Sequence, residues 1–212
     1  MFPAKVFITG TDTGVGKTLV SAILVKALNA YYFKPIQTGS IEGTDSNYIQ
    51  TLTKLPSNYF LPEVYTFKEP VSPHLAAKLE QKKIILDKIT CPLHSPLVVE
   101  GAGGLLVPIN KKFFMLDIIK KFSLPVILVA RSTLGTINHT LMSLKILKDN
   151  NVSILGVILN GPINKDNKEA IEFYGKIKVL TEIDYSQNLK KSFLQLTNKV
   201  VNDILKNSGY LG

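Results

Sequence analysis

The sequence predicts an α/β fold in which a mostly parallel sheet carries helices on both faces, within a single domain over residues 1–212. Short β-branched and apolar runs alternate with helical patterns along the chain, which is typical of parallel sheets. A glycine-rich turn joins the first run to the first helix, and polar residues follow several other runs. Because ligands bind at the carboxyl ends of such strands, these polar residues indicate where the functional site lies.

Six strands are predicted from the apolar runs, because each run stops at a proline, a glycine or a polar residue. In chain order they are Lys5–Thr9, Tyr31–Lys34, Pro96–Glu100, Pro125–Ala130, Ser153–Asn160 and the weaker Ile177–Leu180. Six helices are predicted where apolar residues recur at helical spacing. In chain order they are Lys17–Asn29, Asp45–Leu55, Leu116–Phe122, Asn138–Asn150, Lys165–Tyr174 and Leu189–Asn207. The Pro-rich stretch Leu55–Pro73 is expected to be irregular and to lie on the surface beside the site.

The segment Ile8–Thr18 predicts a phosphate-binding loop between the first strand and the first helix. Gly14 and Gly16 allow the backbone N–H groups to approach phosphate oxygens, and the helix start adds the positive end of a dipole. Lys17 would then reach the β- and γ-phosphates, and the Thr18 hydroxyl would ligate Mg²⁺. The fold is therefore expected to be that of a P-loop NTPase. Counted from Gly10, the loop is one residue longer than the common form.

The amino-acid composition limits the kinds of partner that the protein is expected to bind. The formal net charge is +9, but Arg131 is the only arginine and the lysines are scattered, so nucleic-acid binding is not expected. A positive surface can still attract nucleotides and anionic substrates. No apolar run reaches the ~18 residues of a membrane span, and no signal peptide is recognisable, so a cytoplasmic protein without membrane contact is expected. The single cysteine, Cys91, excludes an internal disulfide.

Three charged residues follow predicted strands or turns and are candidates for the site. Lys34 precedes Pro35, which ends a strand, but a lone lysine can equally be a surface residue. Asp45 can be a site carboxylate or a helix cap. Glu100 ends a buried strand before Gly101–Gly104, and P-loop enzymes hold Mg²⁺ with an acid in such a place. Asn160-Gly161 can contact a nucleotide base or simply form a turn.

Six segments follow one another in a fixed order and carry a family resemblance. They are Gly10–Thr18, Tyr32–Pro35 with Thr38-Gly39, Ser72–His74, Val99–Gly104, Pro125–Val129 and Leu134–His139. Together they resemble the dethiobiotin synthetases, from the N-terminus to about Asn160.

The resemblance implies an ATP-dependent carboxylase that forms dethiobiotin from 7,8-diaminononanoate and CO₂ or bicarbonate. It implies catalytic roles for Lys17, Lys34 and Thr38, and a Mg²⁺ site at Thr18, Asp45 and Glu100. The residues implied for nucleotide binding are Thr13, Gly14, Val15, Gly16, Lys17, Thr18, Glu100, Gly101, Ala102, Gly103, Asn160 and Gly161. Those implied for the diamine are Thr13, Lys34, Thr38, Gly135, Thr136 and Asn138, the last three being supplied by the second subunit of a homodimer.

The resemblance is weaker in the segments that would bind the nucleotide base. Family members carry Gly-x-Ile-Pro after the last strand and an Asn-Asp pair, whereas this chain has Thr181–Asp184 and Asn160-Gly161. We therefore expect weak discrimination between nucleoside triphosphates.

Two other functions remain open from the sequence. A partitioning-type ATPase switch shares the fold, and the apolar stripe of the last helix, flanked by lysines, could seek a membrane or partner. A core-facing helix gives the same stripe. A small-molecule kinase is the third possibility.

Overall fold

The computed structural model describes residues 2–184 and 189–207, without the side chains of residues 189–192. The strands are β1 (Lys5–Gly10), β2 (Tyr31–Phe33), β3 (Ile36–Gln37), β4 (Phe60–Leu61), β5 (Tyr65–Thr66), β6 (Leu97–Gly104), β7 (Val126–Arg131), β8 (Ile154–Asn160) and β9 (Val179–Ile183). The helices are α1 (Lys17–Leu28), α2 (Asp45–Thr53), α3 (Pro73–Leu79), α4 (Met115–Phe122), α5 (Thr136–Asp149), α6 (Lys165–Gly175) and α7 (Leu189–Asn207).

The main sheet has seven strands in the order β4-β2-β6-β1-β7-β8-β9, and the neighbouring strands pair in parallel. Alternate residues of β1 point to opposite faces. Val6 and Ile8 pack with α1 and α7, whereas Phe7 packs with α4. The predicted fold class, a parallel sheet between helical layers, is confirmed, and β1 lies at its centre.

Several element boundaries differ from the sequence prediction. β6 continues through Gly104 instead of ending at Glu100, because Gly104 still pairs with Gly10 of β1. The glycine run read as a loop is thus the last part of a strand. The stretch Leu55–Pro73 is also more regular than expected, since β4 forms the edge of the main sheet and β5 pairs with β3.

Helix α7 packs on the core. Phe193, Val200 and Ile204 are buried in the same cluster as α1, and Thr181 of β9 donates a hydrogen bond of 2.8 Å to Asp203. The apolar stripe is therefore a packing face, while the side chains of Leu189, Lys190 and Lys191 lie outside the described residues. In the part of the chain that is described, no helix combines the length and the apolar character needed to cross a membrane.

Candidate active site

The phosphate loop has the backbone shape that anion binding requires. Gly14 and Gly16 have φ angles of 73° and 100°, in the left-handed region that favours glycine. Helix α1 begins at Lys17, directly after Gly16. The Val15 side chain points into the core, and the buried Asn160 amide donates to the Val15 carbonyl at 2.8 Å. The end of β8 therefore holds the loop from beneath.

Lys17 is folded back onto its own loop. Its ammonium donates a 2.8 Å hydrogen bond to the carbonyl oxygen of Asp12. Burial lowers the pKa of Lys17 to about 8, against the opposing effect of the Glu100 carboxylate. Phosphate oxygens in the loop would stabilise the charged form again, so the loop is electrostatically prepared for an anion.

A second interaction links the loop to the neighbouring strand. The guanidinium of Arg131, at the end of β7, lies 2.7 Å from Asp12 Oδ2. The other carboxylate oxygen of Asp12 accepts from the Thr13 amide at 2.7 Å. Neither residue is among the predicted site residues, and their pairing neutralises the acidic residue within the glycine-rich loop.

Three oxygen-bearing side chains from three elements meet at the mouth of the loop. The Thr18 hydroxyl lies 2.9 Å from Glu100 Oε1 and 3.0 Å from Asp45 Oδ1. Helix α2 is capped by Thr44, whose hydroxyl accepts from the Asn47 amide, so Asp45 is free to face the cluster. Between the two readings of Asp45, the structure favours the site carboxylate.

Lys34 joins the same cluster. Its ammonium pairs with Asp45 Oδ2 and lies 3.2 Å from Glu100 Oε1, and the residue is 5% exposed. Burial alone lowers the pKa of Lys34, but the carboxylates of Glu100 and Asp45 outweigh burial and raise it. Lys34 is therefore a buried, charged member of this cluster and not a surface lysine.

The cluster has the chemistry of a Mg²⁺ site. Magnesium is bound in proteins by one or two carboxylates together with hydroxyl, water and phosphate oxygens. Thr18, Asp45 and Glu100 offer two carboxylates and a hydroxyl beside a phosphate loop, so the donor set fits this ion.

These groups line a cleft of about 970 Å³ at the carboxyl edge of the sheet. The predicted site residues that line it are Thr13, Gly14, Gly16, Lys17, Thr18, Lys34, Thr38, Asp45, Glu100, Ala102 and Gly103. The chain from Pro70 to Pro73 forms part of the wall, as expected for a segment beside the site. Gln37 also lines the cleft, with its amide nitrogen 2.7 Å from the Thr38 carbonyl and its amide oxygen 3.2 Å from the Asp45 nitrogen.

Other predicted site residues lie away from this cleft. Gly101 is packed against Phe7 and Met115, because it faces the opposite side of the sheet from Glu100. Gly161 lies against Ser132, where an added Cβ would be 2.6 Å from the hydroxyl oxygen.

Gly135, Thr136 and Asn138 form the start of α5, two residues earlier than the predicted helix start. Thr136 is buried, whereas Gly135 and Asn138 are exposed.

The most informative contact that sequence reasoning missed belongs to Tyr32. Its hydroxyl donates a 2.9 Å hydrogen bond to Glu100 Oε2 from the adjacent strand β2. An aromatic residue in an apolar run is predicted to be a core residue, so the sequence did not indicate that Tyr32 makes a polar contact.

Comparison with known sequences gives consistent matches over most of the chain. A family model described as an AAA domain matches residues 4–192. An ATP-dependent dethiobiotin synthetase of Lawsonia intracellularis is 52% identical over 89% of this chain and 92% of its own length. Proteins of the same name from Paramagnetospirillum magneticum and Rhodopseudomonas palustris are 50% and 40% identical, over 84% and 96% of this chain. Those matches cover 86% and 98% of the two relatives.

Solved structures with the same fold are more distant in sequence. A ParA family ATPase from Chlorobium tepidum has a TM-score of 0.58 at 12% identity, covering 97% of this chain and 93% of that chain. A putative plasmid partition protein from Borrelia burgdorferi has a TM-score of 0.57 at 14% identity, covering 96% and 98%. At these identities the likeness concerns the fold alone.

Proposed function

The chain belongs to the family of ATP-dependent dethiobiotin synthetases, and from that premise we propose that it joins 7,8-diaminononanoate and CO₂ into dethiobiotin. It is a ligase of biotin biosynthesis with an ATP-binding P-loop fold. We place the reaction in the cleft of a single domain that works in the cytoplasm. The contact of Lys34 with Asp45 and Glu100, next to Lys17 and Thr18, is the observation that carries this proposal.

The nucleotide would bind with its phosphates on the loop Thr13–Thr18. The left-handed glycines and the start of α1 support this assignment, since both direct N–H groups toward an anion. Lys17 would leave the Asp12 carbonyl and reach the terminal phosphates. Ala102 and Gly103, which line the cleft, would flank the nucleotide. Asn160 and Gly161 lie at the end of β8 and do not line the cleft, so they would contact the nucleotide only if its base extends beyond the cleft toward β8.

The metal would be held by Thr18, Asp45 and Glu100. When bound, Mg²⁺ neutralises phosphate charge and so favours nucleophilic attack on the terminal phosphorus. Lys34 pairs with two of the same groups. Binding of the metal would therefore release the Lys34 ammonium to face the substrate, together with Thr38.

The chemistry needs charge stabilisation more than a protein nucleophile. One unprotonated amine of the diamine adds to the carbon of CO₂ and loses a proton, giving a carbamate. A carbamate oxygen displaces ADP from the γ-phosphorus, giving a carbamic-phosphoric anhydride. The second amine then attacks the carbonyl carbon, loses a proton and expels phosphate as the ring closes. Lys17 and Lys34 stabilise the anionic oxygens that gather at each stage.

The diamine also carries a carboxylate tail, which must be bound at a distance from the reacting amines. We propose that a second subunit of a homodimer supplies this contact through Gly135, Thr136 and Asn138. The exposure of Gly135 and Asn138 at the start of α5 supports the assignment, since a helix start offers N–H groups to an anion.

The test is incubation of the enzyme with ATP, Mg²⁺, ¹³C-bicarbonate and 7,8-diaminononanoate, followed by mass spectrometry. We expect dethiobiotin with one added ¹³C, and ADP and phosphate in equal amounts. ATP hydrolysis that is indifferent to the diamine would contradict the proposal. A stable phosphorylated diamine would instead indicate a kinase.

A further inference from the structure

Tyr32 contacts Glu100, a member of the side-chain cluster at the mouth of the loop, from inside the protein. It lies on β2, next to β6, and its hydroxyl donates to Glu100 Oε2 at 2.9 Å. The side chain is fully buried, and its ring packs beside Phe60 with the centroids 6.2 Å apart. The contact is thus made by a phenol that its burial and the neighbouring ring hold in place.

The two oxygens of Glu100 consequently have different surroundings. Oε1 faces the cleft, where it lies 2.9 Å from the Thr18 hydroxyl and 3.2 Å from the Lys34 ammonium. Oε2 is held on the inner side by Tyr32. Glu100 is 1% exposed, so solvent does not replace the phenol as a partner for Oε2. The carboxylate therefore presents one oxygen to the cleft and has the other one already bound.

We propose that Tyr32 is a positioning residue of the metal site, which makes Glu100 a one-oxygen ligand and thereby favours Mg²⁺ over Ca²⁺. The proposal rests on the assignment of Thr18, Asp45 and Glu100 as the metal site. Mg²⁺ requires near-octahedral geometry with few protein carboxylates, whereas Ca²⁺ takes six to eight oxygens and often both oxygens of one carboxylate. A phenol that already donates a hydrogen bond to Oε2 disfavours Ca²⁺ binding by both oxygens of Glu100. Groups that hold a ligand in place generally affect metal affinity by ~10–100-fold.

The variant Tyr32→Phe removes the hydroxyl and keeps the ring. The matched control is Tyr31→Phe, the same change on the adjacent residue, whose ring stacks on Tyr59 with the centroids 5.1 Å apart. Mg²⁺ and Ca²⁺ would be titrated calorimetrically into each protein in complex with a non-hydrolysable ATP analogue. Mg²⁺ would also be titrated in the assay for dethiobiotin.

We expect Tyr32→Phe to weaken Mg²⁺ binding by ~10-fold and to weaken Ca²⁺ binding less, so that the Mg²⁺ to Ca²⁺ affinity ratio falls. The Mg²⁺ concentration for half-maximal rate should rise in proportion, while kcat at saturating Mg²⁺ changes little. Tyr31→Phe should bind both ions as the unchanged protein does. Equal loss of both affinities, unchanged titrations, or the same change in Tyr31→Phe would overturn the proposal.

A double-mutant cycle separates positioning from general loss of packing. In the Glu100→Gln background, adding Tyr32→Phe should leave the remaining Mg²⁺ affinity unchanged, because the phenol acts through the carboxylate. An equal further loss in that background would show a purely structural role and overturn the proposal. Failure of the proposed reaction would be visible separately, because the unchanged protein would then form no dethiobiotin while the calorimetric comparison still reports on Tyr32.

Discussion

Lys34→Met tests whether the Lys34 ammonium and the metal ion occupy the same place in the cluster. Methionine keeps an unbranched, largely apolar side chain of similar length, and removes the positive charge together with the N–H groups that bond Asp45 and Glu100. The substitution leaves Glu100, which is 1% exposed, and Asp45 facing each other without their cation. Removing one partner of a buried ion pair destabilises a protein by ~3–5 kcal/mol. The Asp45 side chain is 27% exposed, so we take the lower end, ~3 kcal/mol.

The expected loss of folding stability can be measured as a decrease in the melting temperature, Tm. For a chain of this size, 1 kcal/mol corresponds to ~2–4 °C, so Lys34→Met should lower Tm by ~6–12 °C in the absence of Mg²⁺. Adding Mg²⁺ should restore much of this loss, because an ion that binds only the native state stabilises it and no longer competes with Lys34. Turnover should fall by ~10²–10³ even at saturating Mg²⁺, since the ammonium stabilises charge that develops during transfer.

The assay is thermal unfolding with and without Mg²⁺, together with steady-state kinetics. Lys145→Met is the matched control, because Lys145 pairs with Asp149 at 3.0 Å on the exposed face of α5. An exposed pair of this kind contributes ~0.3–0.5 kcal/mol, so its Tm should move by only ~1–2 °C. A Tm loss in Lys34→Met that Mg²⁺ does not reduce would refute the shared position. Near-normal turnover would remove Lys34 from the mechanism.

Three further predictions follow from the proposed site. Glu100→Gln should raise the Mg²⁺ requirement with little change in the KM for ATP at saturating metal, and an unchanged metal titration would count against ligation by Glu100. Asn138→Ala should raise the KM for the diamine more than that for ATP, and ultracentrifugation showing a fully active monomer would contradict a site shared between subunits. GTP or CTP should support turnover within ~10-fold of ATP, because triphosphate and metal contacts are common to all of them, whereas a preference near a thousand-fold in kcat/KM would show that some residue reads adenine.

Much of the site could be predicted from the sequence, because its residues follow strands in a parallel sheet. The spacing of Gly14, Gly16 and Lys17 predicts a phosphate loop, and the place of Glu100 after a buried apolar run predicts a carboxylate beside it. The structure brings these residues to one cleft. In such a sheet, residues distant in sequence meet at one edge when they follow neighbouring strands. This principle accounts for Lys34 and Glu100, which follow or end the predicted second and third strands.

The parts that could not be predicted depend on pairing between distant segments. The glycines after Glu100 have low intrinsic strand propensity, and only pairing with Gly10 continues β6 to Gly104. The short β4 likewise becomes a strand through its pairing with β2. Side-chain partners such as Arg131 with Asp12 depend on distances that no local pattern carries. The sequence pattern therefore predicts where the candidate site lies but not the contacts within it.

In the proposed reaction a carbamate oxygen attacks the γ-phosphate in this cleft, and an oxygen label tests this step most directly. The enzyme would be incubated briefly with ¹⁸O-labelled bicarbonate, diamine and ATP, and the released phosphate analysed by mass spectrometry. Because the anhydride breaks between carbon and oxygen when the second amine attacks, one labelled oxygen should leave with the phosphate. Phosphate that carries only oxygen from water and ATP would show that hydrolysis is separate from carboxylation and would contradict the account.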